Sequence, residues 1–193
     1  MRVIAEKGPS GLSVSDIAAA SGLSRGAFYN YFPQPDDLLE AVAGKIRQDL
    51  YQAGEQAIAA AEDPPEQLAR ACLTYLRMGL SDPVWGWVWL QLDLSSKAPA
   101  RLLTEGFESL FLRGVAAGRF HAADPAAAAA VAFGGMRMAA RVVLTSREPP
   151  PNLAHDTVKI VLIGLGLSEP GAAQVLARAG WPAGLESSVA NAN

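Results

Sequence analysis

Apolar residues recur through most of the chain three and four positions apart, the spacing that lines one face of a helix. Leu68, Cys72, Tyr75, Leu76 and Leu80 make one such stripe, and Leu103, Phe107, Leu110 and Phe111 make another. The alternating runs and β-branched clusters of a sheet are nearly absent, so the pattern predicts an all-α fold. Helix starts repeat one signature, a polar cap followed by proline at the first helical position, where the missing N–H does no harm. Asp63-Pro64, Asp82-Pro83 and Asp124-Pro125 fit it, and Asp63 with Glu66 has capping-box spacing. Gln34-Pro35 opens a further helix with Asp36 and Asp37 in its first turn, where the helix dipole favours acids. Pro149-Pro150-Pro151 closes one long helix, and Asn152 is placed to cap the next. Together these signals predict helices over 2–7, 14–20, 25–32, 35–60, 64–80, 83–95, 99–117, 125–145, 153–167 and 169–179.

The first 46 residues are patterned differently from the rest. Three short helices separated by glycine-bearing turns predict a small head over 1–46. The long apolar stripes that follow predict a larger helical body over 47–193, ending in a small, polar and loose tail from Pro182 to Asn193.

Composition narrows the partners. With 193 residues, half of them apolar and 18% charged, the chain can bury a sizeable core. Its longest uncharged apolar run, Pro125 to Met136, falls short of the roughly 18 residues of a membrane span, and no signal peptide opens it, so no membrane partner and a cytoplasmic location are expected. The single cysteine, Cys72, has no disulfide or metal-binding partner, which excludes zinc fingers and redox pairs. A net charge of −3 argues against indiscriminate nucleic-acid binding, yet says little about one small reading head on an acidic body.

The stretch from Ser13 to Phe32 carries the most chemistry. Ser13 and Asp16 form a capping-box start, Ile17 and Ala18 point inward, Gly22 can take the left-handed conformation that ends a helix, and Ser24 caps the next one. Two short helices joined by a turn of three or four residues containing glycine make a helix-turn-helix, whose second helix enters the major groove of DNA. The order Val14-x-x-Ile17-Ala18-x-x-x-Gly22-Leu23-Ser24-x-Gly26-x-Phe28-Tyr29-x-Tyr31-Phe32, followed by Leu38 and Leu39, resembles the DNA-binding domain of the TetR family of transcriptional repressors. The body has the length and helix count that this family adopts.

Residue by residue, Gly26 lets the second helix approach the DNA backbone closely, while Ser15, Ser24 and the amides at the Ser13 and Ser24 helix starts can hold phosphates. Arg25, Ala27, Tyr29 and Asn30 lie on or near the outward face. Arginine can pair with guanine and asparagine with adenine, and alanine or tyrosine can touch a thymine methyl. Phe28 and Phe32 belong inward with Ile17. The resemblance implies phosphate or base contacts from Tyr29 and Tyr31; completing a small core is the competing role for both. Two features depart from the family pattern. Proline occupies position 35, where the family usually carries a phosphate-binding lysine, and only Met1 to Lys7 precede Gly8. Residues 1–50 hold five basic and six acidic side chains, net −1, although phosphate neutralisation usually dominates DNA affinity. These departures predict a native start upstream of Met1 with a longer basic first helix, and weak DNA binding without it.

In the body, Trp85, Trp87 and Trp89 place three indoles in five residues, too many for one tight core. The resemblance implies that the middle helices enclose a small-molecule pocket. Tyr75, Trp85, Trp89, Phe107, Phe111 and Met136 are its candidate liners for an apolar or aromatic effector, and Arg137 is a candidate partner for an acidic one. Core packing and, for the arginine, solvation or interface pairing are the competing roles. The helices over 125–145 and 153–167 are apolar on more than one face, through Val131, Phe133, Met138, Val142, Val158, Val161 and Leu165, with Gly134, Gly135 and Gly164 admitting close approach. A monomer would expose that surface. The resemblance implies a homodimer packed through these helices and, from it, double-stranded operator DNA with palindromic half-sites about one helical turn apart. Effector binding would then release the DNA by shifting the population of head spacings.

Gly22-Leu23-Ser24-Arg25-Gly26 matches the nucleophile elbow of esterases on paper, but that elbow needs a preceding strand and a sheet. His121 and His155 have no acid–base constellation around them. No catalysis, cofactor or metal is therefore expected. The rival reading is a ligand-binding dimer that has lost much of its DNA affinity.

Overall fold

A computed structural model of the chain describes residues 1–8, 11–95, 101–121 and 124–181. The described residues form ten helices and no strand: α1 (Arg2–Lys7), α2 (Val14–Ser21), α3 (Arg25–Tyr31), α4 (Pro35–Ala59), α5 (Pro64–Ser81), α6 (Pro83–Ser95), α7 (Arg101–Ala116), α8 (Pro125–Thr145), α9 (Leu153–Gly164) and α10 (Glu169–Ala179). The tail from Pro182, the first residues of the helix predicted from 99, and the Leu103 side chain lie outside the described residues.

Most caps form as the sequence predicts. The Ser13 hydroxyl accepts the Asp16 N–H at 3.2 Å and the Asp16 carboxylate accepts the Ser13 N–H at 3.1 Å, closing the capping box of α2. Gly22 ends that helix at φ 69°, and the Ser24 hydroxyl accepts the Ala27 N–H at 3.1 Å to start α3. The carboxylates of Asp37, Asp82 and Asp124 accept the N–H groups of Gln34, Trp85 and Ala127 at the starts of α4, α6 and α8.

Three local expectations change. Asp63 makes no cap bond, because its carboxylate instead takes both arms of Arg119, at 2.9 and 3.0 Å. Asn152 precedes α9 in a left-handed conformation, and its side chain caps nothing. Helix α9 stops at Gly164 rather than 167, for two reasons. The Leu165 carbonyl accepts the His121 N–H at 2.8 Å, and Gly166 turns at φ 104° where a Cβ would stand 2.5 Å from the His121 ring.

Helix α5 is the central post, in contact with α4 and with each helix from α6 to α10. Leu68, Leu76 and Leu80 on it are fully buried, each such side chain contributing about 1.5–3 kcal/mol of burial. Helix α6 is wedged between α1, α4, α5 and α8. That covers more than one of its faces, so all three indoles pack against the same core, Trp89 buried and Trp85 and Trp87 partly so, contrary to expectation. The head has its own small centre of Val14, Ala18 and Phe28. By length and composition alone α8 is apolar enough to cross a bilayer, but 44% of that stretch is buried inside the protein.

The α5–α6 crossing brings backbones together: a Cβ on Gly86 would stand 2.0 Å from the Gly79 carbonyl oxygen. Gly86→Ala is expected to destabilise the protein by about 2–3 kcal/mol and lower the melting temperature by roughly 5–10 °C. Thermal denaturation checks this, and an unchanged melting temperature would rule out so close a crossing.

Candidate DNA-reading head and effector recess

In α3 the heptad of residues splits cleanly. Phe28 is 1% exposed and packs on Tyr29 and Phe32 at ring separations of 5.5 and 5.6 Å. Arg25, Gly26, Tyr29, Asn30 and Tyr31 are exposed, Ala27 is half-buried, and Ser13, Ser15 and Ser24 are exposed beside them. Tyr31 is 73% exposed, so neither it nor Tyr29 fills the head's core. One face of the head therefore offers a guanidinium, an amide, two phenols and two helix starts, the donor set that contacts base edges and phosphates.

Of the five basic side chains in residues 1–50, three are paired with acids of the same stretch. Lys7 pairs with Asp16 at 2.6 Å, Lys45 with Asp49, and Arg47 with Glu40 at 3.8 Å. Arg2 and Arg25 make no ion pair among the described residues. Pro35 serves as the first residue of α4, where Gln34, Asp36 and Asp37 complete the helix start. The hydrogen bond from Lys7, with those from Ser13, holds the Asp16 carboxyl down at about 2. A depressed acid stabilises the fold above its ordinary value, here 3.8, and that stabilisation fades as the pH falls to about 2. Acidification across this window is expected to open the Ser13–Asp16 box and free α1 from α2, seen as faster amide exchange in α2. In Asp16→Asn the step should vanish; if it persists, another group is responsible.

In the body the predicted pocket residues go to three places. Tyr75 and Phe107 line a recess closed by Tyr51, Glu55 and Ile58 of α4 and Leu110 of α7. Phe133 of α8 backs it, stacked on Tyr75 at 6.4 Å and against Phe107 at 5.2 Å. Trp85 and Trp89 pair at 6.2 Å, with the Arg137 guanidinium over Trp89 at 5.6 Å and donating to the Leu90 carbonyl at 2.8 Å. Phe111 stacks on Phe120 and Met136 is 1% exposed, both in close-packed core. Burial pushes the Cys72 thiol up to about 12, leaving it a neutral, inert group.

The outer face of α8 and α9 carries Val131, Met138, Ile160 and Ile163 at 66%, 60%, 68% and 39% exposure, with Gly134 open and Val142 half-buried. Val158, Val161 and Leu165 do not belong to it. They are at most 6% exposed and pack in the protomer core. Sequence reasoning missed Ile160 and Ile163, which share a face with each other rather than with those three. It also missed Tyr51, Glu55 and Ile58, which α4 spacing alone could have grouped.

Comparison with known proteins agrees with this architecture. Residues 1–42 match the family described as bacterial regulatory proteins, tetR family, and residues 63–178 match the tetracyclin repressor-like C-terminal domain. The transcriptional regulator BetI of Burkholderia thailandensis is 37% identical over 71 residues, a match spanning 36% of that relative's length. The structure of RolR without ligand superposes with a TM-score of 0.72 at 26% identity over 93% of each chain. Its complex with resorcinol gives 0.71 over 93% of this chain and 89% of that one. PfmR from Thermus thermophilus gives 0.67 at 26% identity over 86% and 95%. The chain belongs to the TetR family of bacterial regulatory proteins.

Proposed function

We propose that the protein is a ligand-responsive transcriptional regulator of the cytoplasm, with a DNA-reading head over 1–46 and an effector-binding, dimer-forming body over 47–193. The observation that carries this reading is α3, which buries Phe28 and turns Arg25, Tyr29, Asn30 and Tyr31 to the outside. Two copies join through the outer face of α8 and α9, where Val131, Met138, Ile160 and Ile163 form a strip that a monomer leaves in water. The paired heads then read a palindrome with half-sites about one helical turn apart. The protein acts as a repressor, and a small apolar or aromatic effector releases it by favouring a head spacing that does not fit the operator. RolR, the relative crystallised with resorcinol, supports an aromatic effector. Selection from a random DNA library should enrich a palindrome of that spacing; enrichment of single half-sites, or of nothing, would overturn the reading.

The pairing of Lys7, Lys45 and Arg47 with acids favours a second reading, a ligand-binding dimer with weak DNA affinity. Under it the same selection fails, while effector binding and dimerisation persist.

A further inference from the structure

We infer that a second recess, between the last turns of α4, the middle of α5 and the end of α10, is a phosphate-binding site built on Arg70, Thr74 and Arg77. It is separate from the head and from the recess beside Tyr75, and does not depend on the regulator reading. Its room is about 130 Å³, against the roughly 10–15 Å³ that one water needs. Arg70, Thr74 and Arg77 stand four and three residues apart on α5, so one face of the helix presents all three to it. Leu73 and Trp181 supply apolar wall, and no acid lines the recess among the described residues.

Each of the three polar side chains brings donors that the fold leaves unused. Arg77 is exposed and makes no hydrogen bond or ion pair among the described residues. The Thr74 hydroxyl has no partner there either, although Thr145 and Thr157 donate theirs to the carbonyl one turn back, at 2.9 and 2.7 Å. Thr74 thus lacks the back-bond that helical threonines commonly make and that two others in this chain do make. The Arg70 Nε donates to Glu66 at 3.0 Å and its Nη2 to the Arg178 carbonyl at 2.9 Å; neither bond uses Nη1.

The charge balance points the same way. The chain as a whole is at −3, yet beside this recess Arg70, Arg119 and Arg178 share only Asp63 and Glu66, and Arg77 adds a further cation with no acid of its own. An anion placed here meets uncompensated positive charge.

The arrangement of donors selects the kind of anion. A carboxylate has two oxygens in one plane, which a single guanidinium fork satisfies. Two guanidiniums with a hydroxyl between them instead suit the three acceptor oxygens and nearly double negative charge of a phosphate group. Ala57, on the rim, lies 22 residues beyond Pro35, about 33 Å along α4 from the head. The DNA phosphates beneath this protomer's α3 are therefore out of reach, and the occupant is a free phosphate or a small phosphate ester.

Titration calorimetry on the full chain at fixed ionic strength, with inorganic phosphate, methyl phosphate and acetate, tests the assignment. Inorganic phosphate should bind saturably, once per protomer, with a dissociation constant of about 1 mM or tighter and acetate at least about tenfold weaker. Arg77→Gln should weaken phosphate by at least about tenfold and Thr74→Val by about fivefold. Arg147→Gln, which removes an exposed arginine from the α8–α9 connection, should leave it unchanged. Arg77 is exposed, so its variant should keep the parent's melting temperature and remains informative even if Thr74→Val does not fold. Methyl phosphate bound as tightly as inorganic phosphate would identify an ester as the ligand, and rejection of it a free phosphate; both outcomes support the site. No saturation by phosphate up to about 10 mM, acetate bound equally well, parental affinity in Arg77→Gln, or an equal loss in Arg147→Gln would overturn it.

Discussion

Phe28→Ala is expected to abolish operator binding while the body stays folded and dimeric. Phe28 is 1% exposed and forms, with Val14 and Ala18, a centre separate from the large core built on α5. Deleting a buried phenylalanine costs about 3–5 kcal/mol, and so small a unit has little stability to spare. Helices α2 and α3 are also too short, at 8 and 7 residues, to persist without that packing. The loss should stay local, because the body core of Leu68, Leu76, Val143 and Leu162 does not include Phe28. Helical signal equivalent to the head should disappear from circular dichroism, and gel shifts should show no complex. Sedimentation should still show the parent's oligomeric state. Loss of the whole fold would mean that head and body are one cooperative unit; undiminished DNA binding would mean that α3 is not the reading helix.

The second large effect is expected from Met138→Glu combined with Ile160→Glu. These side chains are 60% and 68% exposed in the protomer, so the double variant should leave a single copy's stability within about 0.5 kcal/mol. In a dimer packed through α8 and α9 the same positions put four uncompensated charges into the seam. A penalty of about 4 kcal/mol or more corresponds to a dissociation constant raised at least a thousandfold. Sedimentation at micromolar concentration should find monomers, and DNA affinity should fall because the two heads no longer bind as one linked unit. A variant that remains dimeric would place the interface elsewhere.

The elements that were legible in the sequence are those whose causes lie within a few residues. Ser13 with Asp16, Gly22, Ser24 and the proline-opened helices are local arrangements between a side chain and the next turn, and each forms as read apart from Asp63. That exception is instructive, because the partners of Asp63 are Arg119 and Arg178, 56 and 115 positions away. Periodicity likewise identified α8 and α9 as apolar on more than one side. It could not say which side faces in, and so grouped Val158, Val161 and Leu165 with a surface that belongs to Ile160 and Ile163. The recess beside Tyr75 depends on α4, α5 and α7 meeting at Gly54 and Tyr75. No spacing along the chain records that three-helix contact.

The central claim, that this chain reads DNA, is tested most directly by fluorescence anisotropy with the DNA upstream of its own gene, titrated across a salt series. The account predicts saturable binding by two protomers per site, lost on scrambling the sequence. Arg2 and Arg25 are the head cations without an ion pair among the described residues, which gives about four neutralised phosphates per dimer and a log K against log salt slope of about −4. Equal affinity for scrambled DNA, or no binding even at low salt, would contradict it.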